Sequence, residues 1–70
     1  MLWFMEKNAE LMACAIRRAL DGAYEYEVTA PGGETRLQRY EHATPFLEGY
    51  LREQQELRRQ GWRPRKLTAL

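Results

Sequence analysis

Apolar and polar residues alternate most regularly in the segment 23–29. Tyr24, Tyr26 and Val28 would lie on one face of a strand there, with two glutamates between them. This period of two residues is typical of a strand with one buried face. An Asp-Gly pair precedes the segment and a Pro-Gly-Gly run follows it. Because both are turn signals, the pattern predicts a strand that is bounded by two turns.

Three further segments extend this strand into a meander of four. Residues 34–41 carry Leu37 and Tyr40 among charged residues, and their imperfect alternation predicts an edge strand or a bulge. Upstream, Leu2–Glu6 and Glu10–Arg18 flank a short turn. We expect these two segments to form a hairpin.

Residues 9–20 also have high helix propensity, which leaves a competing interpretation of this segment. Asn8 would cap such a helix and Gly22 would end it. A strand, however, pairs naturally with the next strand through the Asp-Gly turn. We favour the strand and keep the helix as the alternative.

The segment that begins at Thr44 has the period of an amphipathic helix. Thr44 is a suitable N-cap, and Pro45 suits the first helical position because its missing N–H would be unpaired there anyway. Glu48 is expected in the first turn, where the helix dipole favours an acid. The apolar stripe is interrupted by Gln54 and consists of Phe46, Leu47, Tyr50, Leu51 and Leu57.

Residues at the far end of this segment predict where the helix stops. Arg58 and Arg59 lie in the expected last turn, where the helix dipole favours basic residues. Gly61 suits the left-handed position after a helix, and Trp62 is expected to fold back onto the last turn. Residues 63–70 are predicted to form a short flexible basic tail.

The elements together predict an α+β domain over residues 1–62. It consists of an antiparallel four-stranded β-meander followed by one C-terminal α-helix packed on one sheet face, in the order ββββα. The chain is 70 residues long, which allows one domain.

Three short motifs resemble those of a group of small, uncharacterised bacterial proteins. They are the Trp3-Phe4 pair in the first strand, the Pro31-Gly32-Gly33 turn and the Gly61-Trp62 end of the charged helix. The resemblance covers most of residues 2–62 and favours the strand for residues 10–18. No activity is attached to those proteins, so the resemblance implies a fold and no function.

One helix can cover only one face of such a sheet, yet both faces of the first two strands are apolar. A domain of this size also buries only about 60% of the surface of its unfolded chain. A second copy packed on the uncovered face would shield its apolar residues and increase the buried surface. We therefore predict a homodimer with two-fold symmetry. In the first strand Trp3 and Met5 are predicted to lie opposite Leu2 and Phe4. In the second, Met12, Cys14 and Ile16 are predicted to lie opposite Leu11, Ala13 and Ala15.

The net charge of +1 conceals a separation of charge along the chain. Residues 1–56 hold six basic and ten acidic side chains, whereas residues 57–70 hold five basic side chains and no acid. A basic end with a tryptophan could contact an acidic partner, or the phosphates and bases of a nucleic acid. The candidate contact residues are Arg58, Arg59, Trp62, Arg63, Arg65 and Lys66.

The sequence provides little for catalysis, and we expect no enzymatic activity, metal or cofactor. There is no serine, and the single cysteine, Cys14, falls in an apolar strand where burial would raise its pKa. The single histidine, His42, has Glu41 beside it but no further partner in sequence. Glu25 and Glu27 share a strand face and are expected to be solvated there.

No secretion signal or bilayer-spanning segment is recognisable, so we expect a cytoplasmic protein. The predicted function is that of a homodimeric protein–protein interaction or regulatory module. The alternative is a module that binds single-stranded or non-specific nucleic acid through its basic C-terminal end.

Overall fold

The computed structural model describes residues 1–65 and contains one antiparallel sheet with one helix packed on it. The strands are β1 (Leu2–Lys7), β2 (Glu10–Arg18), β3 (Tyr24–Thr29), β4 (Thr35–Tyr40) and β5 (Arg63–Pro64), and the helix is α1 (Ala43–Arg59). The strand order across the sheet is β4-β3-β2-β1-β5. The predicted α+β meander is confirmed, and residues 10–18 form a strand rather than a helix.

The register of the strands assigns each side chain to one of two faces. Met5 lies opposite Met12 and Cys14 lies opposite Val28, so these side chains share the face on which α1 packs. We call it the helix-side face, and the opposite one the open face. The open face contains Leu2, Phe4, Leu11, Ala13, Ala15, Arg17, Glu25, Glu27, Leu37 and Arg39.

The hydrophobic core lies between the helix-side face and α1. Met5, Cys14 and Tyr26 are fully buried at its centre. Aromatic rings connect the two layers: Phe46 of α1 stacks on Tyr24 with the ring centroids 5.1 Å apart. Such ring pairs contribute about 0.5–1.5 kcal/mol beyond the area they bury. The remaining buried core residues are Met12, Val28, Leu57 and Trp62.

The helix begins earlier than the sequence predicts. Its N-cap is His42, in an extended conformation and without a side-chain cap hydrogen bond, so the prediction of Thr44 as N-cap is wrong. Pro45 occupies the third helical position, where its missing N–H costs no internal hydrogen bond. Glu48 then falls beyond the first turn, which contains no acidic residue. The Phe46 N–H donates to the His42 carbonyl at 3.3 Å, so the helical hydrogen bonds begin two residues before the predicted cap.

The buried side of α1 is also rotated from the predicted stripe. Phe46, Gly49 and Leu57 are buried, whereas Leu47 and Leu51 are 52% and 56% exposed. Their assignment to the core stripe is wrong, because Gly49 faces the sheet in their place. A Cβ at position 49 would overlap the hydroxyl of Tyr40 and lie 2.9 Å from its Cζ atom.

The end of α1 follows the prediction closely. The Trp62 N–H donates to the Leu57 carbonyl and the Gly61 N–H donates to the Arg58 carbonyl, both at 3.0 Å. These are the two hydrogen bonds of a Schellman motif, and the φ of +104° at Gly61 explains why glycine stands there. Trp62 and Leu57 are both in the core, so the predicted contact of Trp62 with the last turn is confirmed.

The sheet extends beyond the predicted end of the domain at residue 62. Arg63 and Pro64 pair with Glu6 and Met5 of β1, and the Arg65 N–H donates to the Phe4 carbonyl at 2.9 Å. The first part of the predicted tail is therefore strand β5, on the edge next to β1. The rest of that tail, residues 66–70, lies outside the described residues.

We predict that Gly49→Ala destabilises the protein, although this exchange ordinarily stabilises a helix interior by about 1 kcal/mol. The added methyl group would displace the rigid Tyr40 ring, and overpacking of this kind costs about 1–3 kcal/mol. We expect a net loss of about 1 kcal/mol in the free energy of unfolding, measured in urea. Gly32→Ala is the control, since nothing lies within 4 Å of a Cβ there. A more stable Gly49→Ala variant would contradict the close packing.

Candidate functional site

The half of the open face formed by β1 and β2 is mainly apolar and is unpartnered within the described residues, with Glu6 opposite Leu11 at one end and Arg17 at the other. Leu2 lies opposite Ala15, and Phe4 lies opposite Ala13. Leu2 is 62% exposed and Leu11 is 40% exposed, while the two alanines are half-buried. The alternation predicted for these two strands is confirmed.

The half formed by β3 and β4 contains a network of ion pairs. Arg17 donates from Nε to Glu25 Oε1 at 2.9 Å and from Nη2 to Glu27 Oε2 at 3.2 Å. Arg39 donates from Nη1 to the second oxygen of Glu25 at 3.2 Å and also bonds Asp21. Glu25 and Glu27 are thus held by arginines rather than simply solvated, which sequence reasoning missed because the partners come from neighbouring strands.

Asp21 anchors one end of this network through the β2–β3 turn. The Ala23 N–H donates to Asp21 Oδ1 at 3.1 Å, and the Arg39 guanidinium lies beside the same carboxylate. In that order, these two contacts lower the pKa of Asp21 from its ordinary 3.8. The ion pairs are solvent-exposed, so each one contributes little to stability. Their main effect is to fix the charged side chains in one arrangement on the open face.

The predicted basic contact residues do not all face solvent. Trp62 is only 9% exposed and belongs to the core, so its ring has no free face on which a base could stack. Arg63 donates from Nη1 to the carbonyls of Arg58 and Trp62, both at 3.0 Å, and thereby closes the end of α1. Lys66 lies outside the described residues. Arg58 and Arg65 are exposed.

The structure adds one basic residue to this end of the molecule. The side chain of Lys7 passes Gly61, where its Cε atom lies 3.4 Å from the position of an added Cβ. Lys7 was not predicted here because it is far from residues 58–65 in sequence. Arg59 is paired with Glu56 of the preceding turn. The basic end is thus partly neutralised, and its contact with an acidic partner or a nucleic acid stays a prediction.

Cys14 lies in the core beside the Tyr26 hydroxyl. Burial raises the pKa of the Cys14 thiol and also that of Tyr26. Gln54 donates from Nε2 to the Tyr26 hydroxyl at 2.7 Å, so the polar residue that interrupts the helix stripe satisfies a buried oxygen. A raised pKa keeps the thiol protonated at neutral pH, which makes Cys14 a poor nucleophile.

His42 caps the start of α1 from an exposed position, away from Cys14 in the core. Residues 1–65 contain no group of three or more histidine, cysteine or acidic side chains placed to hold a metal ion. The helix α1, the one helix among residues 1–65, is not long and apolar enough to cross a membrane.

Comparisons of the chain with protein-family models, with curated proteins and with solved structures find no match. The resemblance to small bacterial proteins therefore stays a prediction.

We predict that Asp21→Asn destabilises the fold at neutral pH by an amount that disappears in acid. A lowered pKa in the folded state stabilises the protein above the unfolded pKa of about 3.9, and this contribution is lost as the pH falls through the folded value. Urea unfolding of the variant and the wild type at several pH values measures the difference. Glu48→Gln, at an exposed helix position, is the matched control. An unchanged difference down to strongly acidic pH would contradict the assignment.

Proposed function

We propose that this chain is a small homodimeric protein–protein interaction module whose open face packs against the same face of a second copy. The observation that supports this most strongly is the uncovered apolar half of the sheet. Leu2 and Leu11 are large apolar side chains exposed on a regular, rigid surface with no partner among residues 1–65. Contiguous apolar patches on small proteins usually mark an interaction site.

A second copy fits this surface because the face can be self-complementary. A two-fold axis perpendicular to the strands would place the β1–β2 half of one copy on the β1–β2 half of the other. The ion pairs of Arg17, Glu25 and Arg39 would then face their counterparts on the β3–β4 half of the second copy, beside the apolar contact. Specific interfaces usually combine an apolar core with polar surroundings.

The area of the open face is sufficient for a modest dimer. Four strands spaced about 4.8 Å apart and about 20 Å long give each copy a projected face of roughly 400 Å². Allowing for surface relief, two such faces would bury on the order of 1,000 Å², near the lower limit for specific association. We therefore expect a dimer that dissociates at low concentration rather than an obligate one.

An interaction role is consistent with the remaining chemistry of the described residues. Cys14 is buried in the core and His42 lies in an exposed loop, so the two side chains do not meet. We propose a cytoplasmic location, where the reducing environment keeps Cys14 a thiol. Binding of nucleic acid by the basic end is the alternative, and it would rely on Arg58, Arg65 and Lys7 without a stacking tryptophan.

We predict that Ala13→Glu converts the dimer to a monomer while leaving the fold intact. Ala13 lies between Phe4 and Thr29 at the centre of the open face, so a carboxylate there would be buried without a partner in the dimer and solvated in the monomer. Sedimentation equilibrium at micromolar concentration should give about twice the 8.3 kDa chain mass for the wild type and the single-chain mass for the variant.

Leu51→Glu is the matched control, because Leu51 is an exposed leucine on α1, away from the open face. It should leave the dimer unchanged. A wild-type protein that stays monomeric throughout, or a dimer that survives Ala13→Glu, would refute the proposal. A dimer lost only in Leu51→Glu would place the interface on the helix instead.

A further inference from the structure

A cleft of about 570 Å³ opens on the helix side of the molecule, between the C-terminal half of α1 and the β3–β4 turn. Pockets that bind small ligands are typically about 300–1,000 Å³. The apolar part of its lining comes from Met12, Val28 and Leu57, and carboxylates are contributed by Glu34, Glu53 and Glu56. These residues come from two strands, a turn and the helix.

The polar lining of the cleft has an excess of negative charge. Arg36 is the only basic residue among the lining residues, and it is paired with Glu53. Glu56 accepts from Arg59 through one carboxylate oxygen and from Gln60 Nε2 through the other at 3.3 Å, and because all three side chains are exposed these contacts are weak. Glu34 has no ion-pair partner within residues 1–65. A cationic ligand would therefore meet Glu34 directly and compete with Arg59 for Glu56, and it would leave the Arg36–Glu53 pair between β4 and α1 intact.

We propose that this cleft binds an organic cation that has an aliphatic stem and a terminal ammonium or guanidinium group. The stem would lie over the small exposed parts of Met12, Val28 and Leu57, which otherwise belong to the core, and there it would lose contact with water. The cationic head would meet Glu34 and Glu56, since long basic groups bury their methylenes and keep the charge at a polar rim. The negative charge of the lining favours a cation, and the apolar part of the lining favours one with an aliphatic stem.

Two sources supply this chemistry: a free polyamine, and the lysine or arginine side chain of a peptide. The cleft is on the helix side, opposite the open face, so this binding does not depend on dimer formation. Loss of the dimer in an open-face variant should leave the cleft functional, and a failure of one proposal is therefore distinguishable from a failure of the other.

The test is a titration of the isotope-labelled full chain with putrescine, with spermidine and with a short lysine-containing peptide, followed by backbone amide chemical shifts. Binding should move the signals of Ala30, Glu34, Thr35 and Gln60, which line or flank the cleft. Stronger binding of the polyamines would identify a free amine as the ligand, and stronger binding of the peptide would identify a protein side chain. Both results support the proposal.

Variants and a compact cation separate this binding from general charge attraction. Glu34→Gln combined with Glu56→Gln should weaken binding about tenfold, whereas Glu48→Gln, elsewhere on α1, should not change it. Mg²⁺ has the same charge as putrescine but no aliphatic stem, and it should bind much more weakly. Absence of shifts with all three ligands, shifts that lie away from the cleft, or equal effects of Mg²⁺ and putrescine would overturn the proposal.

Discussion

The width of one helix is the constraint on which the rest of this structure depends. An α-helix with its side chains is about 10–12 Å across, whereas a meander of four strands is about 20 Å wide. The helix α1 packs mainly over β3 and β4. Phe46 and Tyr50 extend its contact across the helix-side face to the Trp3 ring of β1. The chain uses its one described helix to cover the helix-side face, so the open face has no cover among residues 1–65.

The elements that could be predicted from the sequence are those that local signals specify. Alternation in β3 and the Gly61-Trp62 end of α1 are local signals, and both were interpreted correctly. The rotation of α1 was not predictable, because it depends on Tyr40 approaching Gly49 from another element. Leu47 and Leu51 look like core residues in a helical pattern, yet the contact with Tyr40 directs them to solvent.

Several surface contacts could not be predicted either, because they join residues that are far apart in sequence. The residues of the open face on β1 and β2 followed from alternation, whereas the network of Arg17, Glu25 and Arg39 needed the strand register. Strand β5 has two residues, one of them proline, and no periodicity can reveal it. The basic end was recognised as a cluster in sequence, but the burial of Trp62 depends on the Schellman motif that folds it onto Leu57.

Strand β5 also has a consequence for the order in which the chain assembles during synthesis. Neighbouring strands from β1 to β4 are joined by short turns, so these hairpins can form as soon as each strand has left the ribosome. The outer edge of β1 is different, since its partner follows α1 by sequence. The first strand to be made therefore waits longest for its second neighbour. Until then, a nascent chain presents an unpaired edge beside Phe4, Met5 and Glu6, where another chain could pair with it.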